Sequence, residues 1–415
     1  MQKGYYFVHN ILSSSQIILN DEEYASLLEH NNSKMEKQFK LMGFLVDDEV
    51  DEESYLELER KLAMFGSLRD DFGLVIAPTM DCNARCFYCY EHDTRNDCYM
   101  DSKTEKQLLN YIIESLEGKK KLWISWFGGE PLLCAPMIDR ISERLIEICS
   151  EKNIIYDSEI TTNGYYCNEY KDIIERSRIS EIQITIDGFE KDYDVRKNYY
   201  SDSIKPWETV VDNIYSMSEI AHVTLRLNFD KKNIDSLIQA TEFFVKNPRW
   251  NNNISVYYYP LEPVTCINSN VFYTEAEYKG IFERLYNNLY EIGYYNGREN
   301  YLDFHSISMP CYCASLSLNA VDYKGDLFQC QHLLCRDKYK IGDVWNGIKV
   351  NDTYISWFDG STPLQCKGCD VLPLCQCGCI TKRNLGQDNY LCHIMKYRIE
   401  CQEKIKAREL LKNLQ

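Results

Sequence analysis

Residues 73–89 read GLVIAPTMDCNARCFYC: an apolar run, a proline that stops it, then three cysteines, Cys82, Cys86 and Cys89, within eight positions. The run has the length and bulk of a buried strand. Thiolates are soft ligands that suit iron–sulfur clusters or zinc. A closed structural site takes four ligands, and this loop offers three. Gaps of three and then two residues let a short loop wrap one cubane cluster by three corners, leaving the fourth iron open.

Outward from this stretch the pattern is regular. Apolar runs at 73–79, 122–129, 154–164, 181–188, 222–230 and 254–263 alternate with segments of helical period such as 137–150 and 234–246. Six strands separated by helices make a parallel sheet with crossover helices, which in one rotational sense curls into a partial barrel. The expected class is therefore α/β, a partial (β/α)6 barrel. Barrel chemistry sits at the C-terminal ends of the strands, and the three cysteines fall just past the end of the first. At later strand ends stand FGGEP (127–131), TTNG (161–164) and ITIDG (184–188). Gly128 and Gly129 permit close backbone approach, Glu130 can accept from a cationic amine, and Pro131 stiffens the exit. Asn-Gly and Asp-Gly are also ordinary turn dipeptides.

Before the barrel, residues 1–70 read as a small unit in the order strand, strand, helix, helix, strand, helix. Asn20 caps the first helix with Glu23 three residues on, Gly43 ends the second, FLV (44–46) is the third strand, and the last helix runs from near Asp51 to Gly66. This order predicts a winged-helix-like module. After residue 310 periodicity fades and cysteine takes over. A region so poor in apolar runs must be held by metal clusters, and YRIECQEKIKARELLKNLQ closes the chain as a charged helix. The resulting division is 1–70, module; 71–300, barrel; 301–395, cluster-bound extension; 396–415, C-terminal helix.

Composition excludes several classes. The net charge of −17 repels polyanions, and no basic patch offsets it. No nucleic acid is expected. No stretch reaches the roughly 18 apolar residues of a membrane span, and the first residues lack a signal-peptide core, so the expected location is the cytoplasm. Nineteen cysteines, an odd number, in a reducing compartment point to ligation or catalysis rather than disulfides. Cys98, Cys134, Cys149, Cys167, Cys266 and Cys401 lie outside the two dense groups and read as buried hydrophobes or surface thiols.

Cys82, Cys86, Tyr88 and Cys89 together with FGGEP resemble the cluster loop and cofactor turn of the radical S-adenosylmethionine (SAM) enzymes. The resemblance implies that SAM chelates the open iron and is cleaved to a 5′-deoxyadenosyl radical. It further implies that Tyr88, Gly128, Gly129, Glu130, Asn163, Thr185, Asp187 and Arg196 surround SAM, with Arg226 a rival of Arg196. Downstream, Cys313, Gly325, Cys330, Cys366, Cys369, Cys375, Cys379 and Cys392 resemble the seven-cysteine SPASM extension of peptide-modifying radical SAM enzymes. That likeness implies two auxiliary 4Fe-4S clusters, three in all: Cys366, Cys369, Cys375 and Cys392 around one, Cys313, Cys330 and Cys379 around the other. The second group is one ligand short. Cys311, Cys335, Cys266 or a substrate thiolate could complete it; Cys311 is favoured because residues two apart in a strand share a face. Cys377 reads as a bystander, and a zinc ribbon is the alternative to the clusters.

Relatives with this extension imply two enzymatic readings. One is a peptide maturase installing a thioether or carbon–carbon crosslink in a ribosomally made precursor (RiPP maturation). The other is an anaerobic sulfatase-maturing enzyme that makes formylglycine. Sulfatase-maturing enzymes carry an Asp after the second SPASM cysteine, where Gln331 stands here, and lack the additional 70 residues, which resemble a leader-binding element working by strand addition. No protein catalytic base is assigned. Expected partners are the precursor peptide and a flavodoxin- or ferredoxin-type electron donor. The non-enzymatic reading is a multi-cluster electron-transfer protein.

Overall fold

The computed structural model describes residues 4–30, 32–66, 70–200, 205–261, 273–386 and 389–412. The chain forms two compact units, one made of residues 66–273 and 315–358, the other of 1–65, 274–314 and 359–415.

The first unit is a ten-stranded sheet with its covering helices. In the second unit an antiparallel pair comes first, β1 (Tyr5–Asn10) and β2 (Ser15–Asn20). The sheet of the first unit then begins with β3 (Asp71–Ile76), β4 (Lys121–Trp126), β5 (Ile155–Thr162), β6 (Ile179–Ile186), β7 (His222–Phe229) and β8 (Ile254–Pro260), each parallel to the next. These are the six strands expected. Continuous apolar runs give strands buried on both faces, as a parallel sheet under crossover helices requires; in β3 all residues after Asp71 are buried.

The sheet does not stop there. The short strands β9 (Leu318–Val321), β10 (Asp326–Phe328), β11 (Lys340–Asp343) and β12 (Gly347–Ile348) extend it in the order β12-β11-β10-β9-β3-β4-β5-β6-β7-β8, with β9 parallel to β3 and the rest antiparallel. Residues 318–348 of the cysteine-rich extension thus add to the same sheet. Its strands of two to four residues carry too little periodicity to be read from the sequence.

In the second unit α1 (Asp21–Glu29) starts at a complete capping box: the Asn20 side chain accepts from Glu23 N, and Glu23 accepts from Asn20 N, both at 2.9 Å. Helix α2 (Ser33–Leu41) ends before Gly43, whose φ of +78° suits glycine. The expected strand at 44–46 is absent. The Phe44 and Leu45 N–H groups instead return to the Phe39 carbonyl, and the Phe44 ring packs edge-on against Phe39. Those donors therefore close the helix end. Helix α3 (Glu52–Gly66) follows. This unit also contains the long helices Glu275–Glu291 and Asn389–Lys412, whose mutual ion pairs include Lys404 with Glu283.

Among the described residues no helix is long and apolar enough to cross a membrane.

Candidate active site

The cysteine loop leaves the C-terminal end of β3, and neighbouring strand ends anchor it. The Arg85 N–H bonds the carbonyls of Lys197 and Asn198, Ala84 bridges Tyr199, and the Arg85 guanidinium lies 3.9 Å over the Tyr200 ring. Asn163, just past β5, donates to Asn83 Oδ1 at 2.7 Å and reaches Cys82 Sγ at 3.8 Å. The end of β5 and the segment that follows the helix Lys191–Lys197 therefore define where the loop sits.

Cys82, Cys86 and Cys89 are unbridged, half-buried and close enough to influence one another electrostatically. Burial pushes the Cys82 and Cys89 thiols up to about 12, and the adjacent Glu130 and Glu91 carboxylates add to the rise. Among the described residues no three His, Cys, Asp or Glu side chains converge tightly enough for one metal ion.

The Gly-Gly turn after β4 is welded to this loop. Gly129 N donates to Thr79 O at 3.2 Å and Glu130 N to Asp81 O at 2.8 Å. A Cβ on Gly128 would lie 2.3 Å from Thr79 O, and one on Gly129 would lie 2.1 Å from Asp81 O. The close approach these glycines permit is between two protein loops. Glu130 is fully buried and accepts from Leu132 N, Thr162 Oγ1 and Asn163 N at 2.8–3.0 Å. Burial raises its pKa, while those three bonds pull it back. It joins the ends of β4 and β5.

A second buried network lies beyond β6. The Tyr88 hydroxyl donates to Asp187 Oδ2, and Lys197 Nζ pairs with the same oxygen at 2.8 Å; Lys197 and Asp187 are 3% and 0% exposed. Burial alone would depress the Lys197 ammonium, but Asp187 and Cys86 outweigh it and raise its pKa. Lys197 was not expected from sequence; nothing in DVRKN separates a buried lysine from a solvated one. Arg196 pairs with buried Asp230 at 2.7 Å and stands 5.0 Å over Phe87, whereas its rival Arg226 bonds Asn228 and stacks on Tyr259. Thr185 is half-buried in β6, in register with Arg226 of β7. Asp187 Oδ1 and Arg196 Nε are buried with no hydrogen-bond partner among the described residues, which leaves an acceptor just past β6 and a donor in the helix Lys191–Lys197 for a polar cofactor.

In the other unit the cysteines gather differently. Burial, together with Cys392, Cys366 and Cys369, lifts the Cys375 thiol to about 11, so the four sulfurs are neighbours. Cys377 hydrogen-bonds Cys366 and packs in the same cluster. Cys311 has its pKa lowered, chiefly by a hydrogen bond from Cys313. The two meet at a turn of 3-10 helix, Tyr312–Ala314, and not across the face of a strand. Cys313 and Cys379 belong to this unit, Cys330 to the other. Cys335 bonds Asp322 at 3.4 Å, and Cys266 lies outside the described residues. Of the remaining cysteines, Cys134, Cys149, Cys167 and Cys401 are buried and Cys98 is exposed.

An uncharacterised protein of Methanocaldococcus jannaschii is 36% identical over 119 residues, 28% of this chain and 39% of that protein; the chain therefore spans about two-fifths of that relative. The cysteine-type anaerobic sulfatase-maturating enzyme of Clostridium novyi is 22% identical over 354 residues, 78% of this chain and 92% of the enzyme. The structure of native anSMEcpe with bound AdoMet superposes with a TM-score of 0.65 at 16% identity, covering 83% of this chain and all of that one, a likeness of fold. The family description of the radical SAM superfamily matches residues 76–244, the stretch that carries the cysteine loop, the Gly-Gly turn and the Asp187 network. Residues 76–244 of this chain are a radical SAM domain.

Proposed function

We propose that the chain is a radical SAM peptide maturase that installs a thioether or carbon–carbon crosslink in a ribosomally made precursor. The observation that carries the radical chemistry is the three-thiol loop at the end of β3, locked to the Gly-Gly turn by backbone bonds and flanked by a buried acceptor and donor. Cys82, Cys86 and Cys89 would hold a 4Fe-4S cluster. Gly128, Gly129, Asn163, Thr185, Asp187 and Arg196 would surround SAM. When bound, cluster and SAM supply one-electron cleavage of the cofactor and removal of a hydrogen atom from an unactivated C–H bond.

The chain's own residues hold the geometry. Glu130 fixes the spacing of β4 and β5, Lys197 pairs with Asp187 in a dry site, and Tyr88 orients the same carboxylate. Cys366, Cys369, Cys375 and Cys392 would hold one auxiliary cluster, supported by their mutual proximity. Cys313 and Cys379, with Cys311, all in the same unit, would supply ligands of the other.

The reading of a peptide substrate rests on residues 4–66, a module of two strands and three helices in the second unit. A second reading, formylglycine formation, is favoured by the Clostridium novyi relative, nearly all of whose length aligns; Gln331 in place of an aspartate argues against it. Anaerobically reconstituted protein, given SAM and dithionite, should form 5′-deoxyadenosine. Absence of that product from iron-loaded protein overturns both readings in favour of electron transfer. Mass spectrometry then separates them: crosslinking removes a pair of hydrogens from a precursor encoded beside this chain, whereas formylglycine replaces the thiol of a sulfatase-derived peptide.

A further inference from the structure

Helix α3 has two opposed faces of different character. Tyr55, Leu58, Leu62 and Phe65, spaced by three, four and three residues, fall on one side of a helix. They are 50, 55, 61 and 45% exposed. The opposite side is committed. Glu53 accepts from Gly368 N, Glu57 accepts from Thr362 N at 2.8 Å, and buried Arg60 donates to Gly360 O, Thr362 Oγ1 and Gln376 Oε1 at 2.6–3.1 Å. Leu56 and Met64 are buried on that side. With this face bonded, the helix cannot roll to bury Leu58 and Leu62, so the apolar stripe stays on the surface. Surface stripes of this kind mark interaction sites.

The surroundings specify what fits. Residues 47–59, DDEVDEESYLELE, carry eight carboxylates and no lysine or arginine; Glu53 and Glu57 belong to the bonded face and Lys40 pairs with Asp47, while Asp48, Glu49 and Asp51 are exposed. A second copy of this chain would bring the same acidic rim against itself, a like-charge juxtaposition that disfavours pairing. A segment with an apolar face and a basic one meets the stripe and neutralises the rim.

We propose that the outer face of α3 docks a cationic amphipathic segment of the polypeptide substrate. This rests on the peptide-maturase reading, and it adds the site and the charge of the segment. The bonds from Glu53, Glu57 and Arg60 attach that docking helix to residues 360–376, the stretch that bears Cys366, Cys369 and Cys375.

The test uses full-length, anaerobically reconstituted protein without SAM or reductant. The probe is a fluorescein-labelled Leu/Lys amphipathic peptide of about 18 residues, five helical turns, followed by anisotropy; a Leu/Glu peptide with the same leucine positions is the control. The Leu/Lys peptide is expected to bind at micromolar concentration and the control not to bind. Leu58→Glu/Leu62→Glu is expected to weaken binding about tenfold or more, although the added negative charge would tighten a purely electrostatic association. Leu58→Ser/Leu62→Ser, checked for an unchanged melting curve, should weaken it as well. Undiminished binding by both variants, no binding by the parent, or a dimer abolished by Leu62→Glu in sedimentation would each overturn the proposal. Formation of 5′-deoxyadenosine does not involve the stripe, so its failure would instead count against the radical SAM reading.

Discussion

Gly129 and Lys197 show how little room single residues leave around the cysteine loop. Adding one carbon at Gly129 meets the Asp81 carbonyl at 2.1 Å, and backbone there cannot step aside without moving Cys82. Gly129→Ala should therefore cost about 1–3 kcal/mol, as overpacking does, read from urea unfolding of cluster-free protein. Gly280→Ala, in the helix Glu275–Glu291 with open space around the new carbon, should instead stabilise by about 0.5–1 kcal/mol through helix propensity. Lys197→Met leaves Asp187 charged and unpaired in the interior, at a cost of about 3–5 kcal/mol; adding Asp187→Asn to that variant should recover part of the loss in the same assay. The sequence announced the glycines, because a Gly-Gly pair after a strand has few other uses. It did not announce Lys197 or Arg60, since a single cation in a polar segment looks solvated until the fold buries it.

Helix α3 carries a charge whose effect on acid stability has a definite sign. Lys61, the Thr362 N–H and the Thr362 hydroxyl hold the Glu57 carboxyl down to about 2, from an ordinary 4.5. A depressed carboxylate stabilises the fold above its unfolded value and loses that contribution as pH falls through its folded one. The native protein should consequently lose stability between pH 4.5 and about 2 more steeply than Glu57→Gln, measured by denaturant midpoints across that window. At this scale the six parallel strands were legible because each is a continuous or alternating apolar run, as in DFGLVI of β3 and HVTLRLNF of β7, and α1 because Asn20 and Glu23 form its capping box. The strand expected at 44–46 failed for a local reason: Gly43 turns the chain and Phe44 folds back on Phe39. The strands β9 to β12 were invisible because two to four residues cannot display a period.

For the whole molecule, three clusters would bring about twelve irons per chain at four apiece. Cys82→Ala/Cys86→Ala/Cys89→Ala should lower the count by about four and abolish any spectral response to SAM, whereas Cys366→Ala/Cys369→Ala/Cys375→Ala should lower it by a similar amount and leave that response in place. Iron analysis with electron paramagnetic resonance separates the two. The seven-cysteine spacing was legible in sequence, as was the proximity it implies for Cys366, Cys369, Cys375 and Cys392. What the spacing could not disclose is that the chain divides its extension between two compact units, Cys330 in one and Cys313 with Cys379 in the other.

The strand β9 lies against β3, in which every residue after Asp71 is buried. A shortened protein that ended before residue 315 would uncover the backbone donors and acceptors of β3 along a greasy rim, the kind of bare border that recruits foreign strands and precipitates. The cysteine-rich segment is for that reason no detachable accessory: residues 318–348 serve as the hem of the sheet that carries the cysteine loop, and transplanting the segment would require carrying a matching strand along with its cysteines.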